Sequence, residues 1–387
     1  MMQAIDELIK KEFPQAQDNV YLNHAGVSPW PQRTADAIHA FTNENVLIGA
    51  THYPRWMKTE VSLRKMLAEL LNAPSSDDIA LLKNTSEGLS VIAYGIDWVA
   101  GDNIVTSNQE FPSNRIVWES LKSQGVELRL VDLNSGHSPE DALITAMDER
   151  TRLLTISSVQ YASGLKVNLK PLGDACQAAG TLFCVDAIQS LGITPFDVQA
   201  INADFVVADG HKWLMAPEGV AVFYCREKSR KNLKLKQYGW HMVEACGNYD
   251  KLDWQIASSA RRFECGSPNM LGIHAMHASL SLLFEVGIKE VEMLIKNKLD
   301  YLHAELSNID GCKVVTDISA DAYAGIISFR HENIPAVQLF PYLTQHKVVC
   351  AVRDHVLRFS PHFYTPQGKL ERAVSCYRNA ISDSRRN

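Results

Sequence analysis

Three short segments place reactive residue types at the ends of apolar runs. Lys212 stands in DGHKW (209–213), directly after the apolar stretch DFVVA (204–208). A charged amine beside a buried strand is costly to desolvate. That cost lowers its pKa, which suits an amine that must form an imine with a carbonyl. The competing reading is a lysine that emerges into solvent where the strand ends. Asp186 follows FCV (183–185), with Gln189 three residues later. An acid inside an apolar run needs a partner. It either caps a helix or pairs with a cation, or it faces a protonated ring nitrogen, which keeps such a ring able to accept electrons. Asn84-Thr85-Ser86-Glu87-Gly88 follows IALLK (79–83) and opens a helical pattern. Thr and Ser there serve as caps, and a helix start with free amides and hydroxyls is also a site for an anion.

These residues need a scaffold that brings strand ends together. From about residue 79, short apolar runs alternate with longer amphipathic stretches: IALL (79–82), NIVTS (103–107), VELRLVD (126–132), LLTISSV (153–159), LFCVDA (182–187), DFVVADG (204–210) and GVAVFYC (219–225). Alternation of this kind predicts a mostly parallel sheet of seven strands with helices on both faces. Ligands gather at the carboxyl ends of such strands. The interval before GVAVFYC is too short for a parallel crossover, so that strand should run antiparallel. After about residue 270 a long helical region (270–309) leads to GIISF, VVCAV, VLRFS and a final helix, the texture of a smaller α+β domain. The expected division is 1–19 as an N-terminal segment packing on the small domain, 20–270 as the large domain and 271–387 as the small C-terminal domain.

The 387 residues are 46% hydrophobic and 21% charged, with a net charge of -6. That balance offers no basic footprint for nucleic acid or an anionic membrane. No run of 18 apolar residues occurs, and the N-terminus lacks the apolar centre of a signal peptide. Eight scattered cysteines without a C-x-x-C fit neither a disulfide framework nor a metal site. A cytoplasmic enzyme for a small molecule, without a metal, is the expectation.

Taken together, VDAIQS (185–190) and DGHKW (209–213) resemble the class V aminotransferase family, a branch of the fold-type I pyridoxal-phosphate enzymes that includes cysteine desulfurases, kynureninases and isopenicillin N epimerase-like proteins. The likeness runs from YLNHAGVSP (21–29) to LRFSPHFYTP (357–366). It implies pyridoxal 5'-phosphate as cofactor, held as a Schiff base by Lys212, which also moves the substrate's α-proton. It implies Asp186 as partner of the ring nitrogen and Gln189 as donor to the ring hydroxyl. Thr85 and Ser86 match the residues that hold the phosphate, and Asp209 and His211 sit where further cofactor contacts arise. Phe111 falls at the ring-stacking position, and Tyr161 is similar to the kynureninase arrangement. Arg358 matches the arginine that grips the substrate carboxylate, with Asn23 beside the substrate. Ser267 resembles the residue that crosses to a neighbouring subunit's phosphate, which implies a homodimer. His52, Tyr53, Arg55, Trp240 and His241 are further candidates for a substrate pocket.

The family's desulfurases carry a catalytic cysteine on a loop between two arginine-bearing strands. Here only four residues separate Arg353 from Arg358, and none is cysteine. A persulfide-forming thiol must be exposed and activated, which argues against desulfurase chemistry. The leading expectation is an aminotransferase. A lyase or hydrolase of the kynureninase or C–S lyase type, or an epimerase, is the alternative, and a silent cofactor-binding protein is a further one.

Overall fold

Six strands of the central sheet run parallel to one another and one runs against them. In spatial order they are Ile79–Leu82, Ala221–Cys225, Phe205–Asp209, Leu182–Asp186, Thr151–Ser157, Asn103–Ser107 and Glu127–Val131. Ala221–Cys225 is antiparallel to both neighbours, as its short connection requires. Every strand falls on one of the apolar runs of the sequence. The computed structural model describes residues 2–15, 18–134, 136, 138–319 and 322–385.

Burial explains those runs. The strands 182–186, 205–209 and 221–225 lie between helical layers and are almost wholly buried, whereas the edge strand Glu127–Val131 is partly exposed. One face packs Leu89, Ile92, Trp118, Phe205 and Phe223 together. The other joins Val206 and Leu172 to Met276, Leu280, Ile327 and Leu370, so the core runs on into the C-terminal part. The helix Thr85–Gly95 sits close to the sheet because Gly88 carries no Cβ; one built there would meet Val207 Cγ1 at 2.7 Å.

The C-terminal sheet has four antiparallel strands in the order Ala351–Arg353, Val356–Phe359, Ile327–His331 and Cys312–Val314. The helices Ala336–Gln345 and Gln367–Ser384 pack together beside it. The N-terminal chain is tied to this part: Phe13 stacks on Tyr364 at 3.5 Å, and Val20–Tyr21 pairs in parallel with Val348–Val349. The long apolar region after residue 270 is two helices, Met270–Val286 and Ile288–Ser307, bent by 79° at Gly287. Gly287 takes φ 89°, which a β-carbon resists. Among the described residues no single helix is long and apolar enough to cross a membrane.

Candidate active site

The parallel strands Leu182–Asp186 and Phe205–Asp209 end side by side, and their last residues open onto a cavity of about 300 Å³. Ten of the sequence candidates line it: Thr85, Ser86, Phe111, Tyr161, Asp186, Gln189, Asp209, His211, Lys212 and Arg358. Two more that the family resemblance assigns, Asn23 and Ser267, lie elsewhere. Asn23 reaches the cavity only through Arg358, whose Nη2 donates to Asn23 Oδ1 at 3.3 Å. Ser267 is exposed and does not line the cavity of its own chain.

Lys212 is 8% exposed and, among the described residues, has no ion pair within 4.0 Å. Burial depresses the ammonium's pKa, and the nearby Arg358 charge adds to that, against the pull of Asp186. Its Nζ stands 5.5 Å from the centre of the Phe111 ring. Asp186 is 2% exposed, and burial raises its carboxyl pKa well above the usual range. The Ile188 N–H, 3.0 Å from Oδ1, opposes that rise.

At the other end of the cavity the helix Thr85–Gly95 begins. Asn84 caps it by accepting from Glu87 N at 2.9 Å, and the Glu87 carboxylate accepts from Lys83 N at 2.6 Å. Asp209 Oδ2 accepts from Thr85 N at 3.3 Å, tying the helix start to the end of its strand. Thr85 Oγ1 is buried with no partner. His211 Nδ1 lies 3.1 Å from Asp209 Oδ1 but off the direction of a hydrogen bond, so both atoms are also unpaired. Buried polar atoms in a folded protein are rarely left unpaired. Two of the three, the Thr85 hydroxyl at the helix start and the His211 imidazole beside it, can donate and so describe an anion site, whereas the Asp209 oxygen can only accept.

Arg358 shows the same pattern with opposite charge. It is 1% exposed, donates to Tyr161 O at 2.7 Å, and keeps a buried Nε without a partner. No carboxylate of the described residues lies within ion-pair distance. Burial, with Arg353 nearby, lowers its pKa to about 10. An uncompensated buried guanidinium is expensive and awaits a carboxylate.

Pyridoxal 5'-phosphate fits this donor set. The unpaired Lys212 amine stands between a buried carboxylate, suited to a ring nitrogen, and a helix start with free polar atoms, suited to a phosphate. The Phe111 ring, set edge-to-face with Tyr161 at 5.2 Å, stands beside the amine.

Some residues escaped the sequence reading. Arg353 also lines the cavity, and Ser113 accepts from Ser86 Oγ at 2.8 Å. Glu110 is a buried carboxylate with no ion pair among the described residues. It accepts from Ser157 N and Oγ, Gln160 Nε2, Ser107 Oγ and Asn114 Nδ2. The Glu-x-x-x-Asn spacing on a helix start was the available signal. The five proposed substrate-pocket residues near positions 53 and 240 need correction. None of His52, Tyr53, Arg55, Trp240 and His241 lines the cavity. Trp240 packs near Tyr249 at 5.9 Å, Tyr53 packs on Trp56, and His241 is buried beside Glu264. Trp240 and Tyr53 stay partly exposed on other parts of the surface of this chain.

Comparison with known proteins agrees with this geometry. The aminotransferase class-V profile matches residues 20–369. A probable cysteine desulfurase of Methanothermobacter thermautotrophicus is 30% identical over 354 residues, covering 90% of this chain and 87% of that protein. An uncharacterised aminotransferase of Bacillus subtilis is 26% identical over 375 residues, covering 96% and 97%. Two solved structures share the fold at TM-score 0.87. One is the apo cysteine desulfurase of Thermococcus onnurineus, 22% identical, covering 97% of this chain and 98% of that one. The other is a cystine C–S lyase in complex with its product cysteine persulfide, 20% identical, covering 95% and 99%. The chain belongs to the class-V aminotransferase family, whose cofactor is pyridoxal 5'-phosphate.

Proposed function

We propose that this enzyme is a C–S lyase that acts by α,β-elimination on a small amino acid with sulfur on its β-carbon, such as cysteine or cystine. The observation that carries the reading is the turn between Arg353 and Arg358. Asp354 and His355, at φ 45° and 64°, close the strands Ala351–Arg353 and Val356–Phe359 as a two-residue hairpin. No loop is left there to carry a thiol. Cys350, the cysteine nearest in sequence, is 6% exposed, and burial pushes its thiol up to about 12. No cysteine lines the cavity. Sulfur released at Cβ therefore leaves with the product and is not passed to an enzyme thiol. Cleavage of a C–S bond, the chemistry named for several relatives, is kept. Transamination, the leading expectation from sequence, gives way to its stated alternative.

When bound, pyridoxal phosphate supplies an aldehyde for the substrate amine and a ring that takes up the electrons released at Cα. The chain's own residues do the rest. Arg358 holds the substrate carboxylate through N–H groups that Tyr161 and Asn23 leave free, and those two fix the guanidinium's plane. Lys212, unprotonated more readily because it is buried, takes the proton from Cα. The Cβ–S bond then breaks with both electrons on sulfur, and the proton returns to that sulfur from Lys212. One water is consumed, and the net products are pyruvate, ammonium and hydrogen sulfide from cysteine, or a cysteine persulfide in place of the sulfide when cystine is the substrate. Asp186 holds a hydrogen bond or charge against the ring nitrogen. Thr85, Ser86 and His211 hold the phosphate, with Asp209 anchoring the helix start, while Phe111 and Tyr161 wall the ring.

A homodimer belongs to this reading, with Ser267 reaching the phosphate end of the partner's site, and its exposure outside its own cavity supports that. Cytoplasmic residence is likewise proposed, supported by eight cysteines that are all free. The test is product analysis of the holoenzyme with cysteine and with cystine. Pyruvate and ammonium in equal amounts, with sulfide or persulfide, are expected. Alanine would show desulfuration, and a keto acid that retains sulfur would show transamination. Either result overturns elimination.

A further inference from the structure

We propose that Trp213 is a positioning residue that fixes the amide of Gln189 so that its N–H, and not its oxygen, faces the cofactor ring. The inference rests on Gln189 being the neighbour of the ring hydroxyl.

The two ends of a glutamine amide have nearly the same shape, so its neighbours decide which way it points. Gln189 is 1% exposed and lies on the cavity wall. Trp213 Nε1 donates to Gln189 Oε1 at 2.8 Å. Gln189 Nε2 donates to the backbone oxygen of Ala25 at 3.1 Å. An indole N–H can only donate and a carbonyl can only accept. Turning the amide over would set two donors face to face on one side and two acceptors on the other. Both neighbours therefore select one orientation, and the second hydrogen on Nε2 is left for the cavity.

Trp213 is itself held hard. It is fully buried, the rings of His24 and His362 pack against it and against each other with centroids 5.3–6.3 Å apart, and its carbonyl accepts from His362 Nε2 at 3.3 Å. On the far edge, a β-carbon at Gly325 would come within 2.8 Å of the indole. Gly325 belongs to the C-terminal part of the chain, so the indole is wedged between that part and the cofactor wall. Sitting next to Lys212 in sequence, Trp213 couples the anchoring lysine to a donor for the ring.

A donor to the ring oxygen stabilises that oxygen most when it carries its negative charge unshared. Losing it should raise the pH midpoint of the absorbance change shown by the lysine-bound cofactor. One hydrogen bond corresponds to a rise of about half to one pH unit. The experiment titrates the absorbance of four holoproteins: wild type, Trp213→Phe, Gln189→Leu and the double variant. The expected result is an upward shift in each single variant and no added shift from Trp213→Phe once Gln189 is Leu. Benzothienylalanine at position 213, the shape of tryptophan with sulfur in place of N–H, should repeat the shift if the smaller phenyl ring impairs folding. An unshifted Gln189→Leu protein would overturn the placing of Gln189 on the ring. A shifted Gln189→Leu with both position-213 variants unshifted, or equal shifts in both backgrounds, would overturn the Trp213 link alone.

Discussion

Replacing Arg358 with methionine should separate substrate recognition from folding. The guanidinium has five N–H donors. Tyr161 O and Asn23 Oδ1 each take one, and Nε stays unpaired beside the cavity. A substrate carboxylate would complete the set with charge-assisted bonds worth about 1.5–3 kcal/mol. Arg358→Met should therefore weaken binding of a carboxylate-bearing substrate by about 10- to 150-fold. Arg358→Lys should recover only part of it, since an ammonium lacks the planar fork. Stability should move differently. The wild-type charge is buried with no carboxylate of the described residues to offset it, so its removal relieves a cost that the two orphaned acceptors return in part. The Met apoprotein should unfold in urea at the same concentration as wild type, or higher. The assay follows cofactor absorbance while an amino acid, or the matching amine without a carboxylate, is added. Only the amino acid should lose affinity. Equal losses for both ligands, or none for either, would refute the reasoning.

Two further outcomes follow from unpaired and buried groups. Thr85→Val removes a hydroxyl that has no partner among the described residues. Apoprotein stability should be unchanged or higher, because an unsatisfied buried hydroxyl is replaced by a methyl of like shape, while pyridoxal phosphate should bind about 10-fold more weakly by equilibrium titration, as one lost hydrogen bond implies. His24 is fully buried, and burial lowers its imidazole to about 4 despite the Ser360 carbonyl 2.7 Å away. A depressed folded value means that the neutral ring's stability is present above the unfolded value near 6.5 and is lost as pH falls toward 4. Urea unfolding of the apoprotein should show about 3 kcal/mol lost across that window through this residue. His24→Gln should flatten that slope, and an unchanged slope would place the titration elsewhere.

How far the sequence could be read depends on whether a residue's meaning was local. The strands were legible because burial on both faces demands continuous apolar runs, and Asp186 and Lys212 stood out as charges at the ends of those runs. The reversed direction of Ala221–Cys225 followed from the length of one loop. The bend at Gly287 did not show, because an apolar pattern continues across it. Glu110 was missed for a different reason. Ser107 and Asn114 lie within four residues of it, but three of its five donors come from Ser157 and Gln160, which only the sheet brings beside it. The amide of Gln189 is oriented by Trp213 and Ala25, brought beside it only by folding. Trp240 and His241 misled the reading because aromatic and polar residues near each other in sequence look alike whether they face a substrate or each other.

Borohydride reduction of the purified holoenzyme, followed by peptide mapping, tests the placement of the chemistry most directly. The cofactor's visible or near-ultraviolet band should disappear on reduction, with the pyridoxyl group carried by Lys212 in DGHKW (209–213) and absent from the Lys212→Ala protein. A reduced adduct on any other lysine, or a protein that takes up no pyridoxal phosphate, would contradict the site assembled around Lys212, Asp186 and the helix start at Thr85.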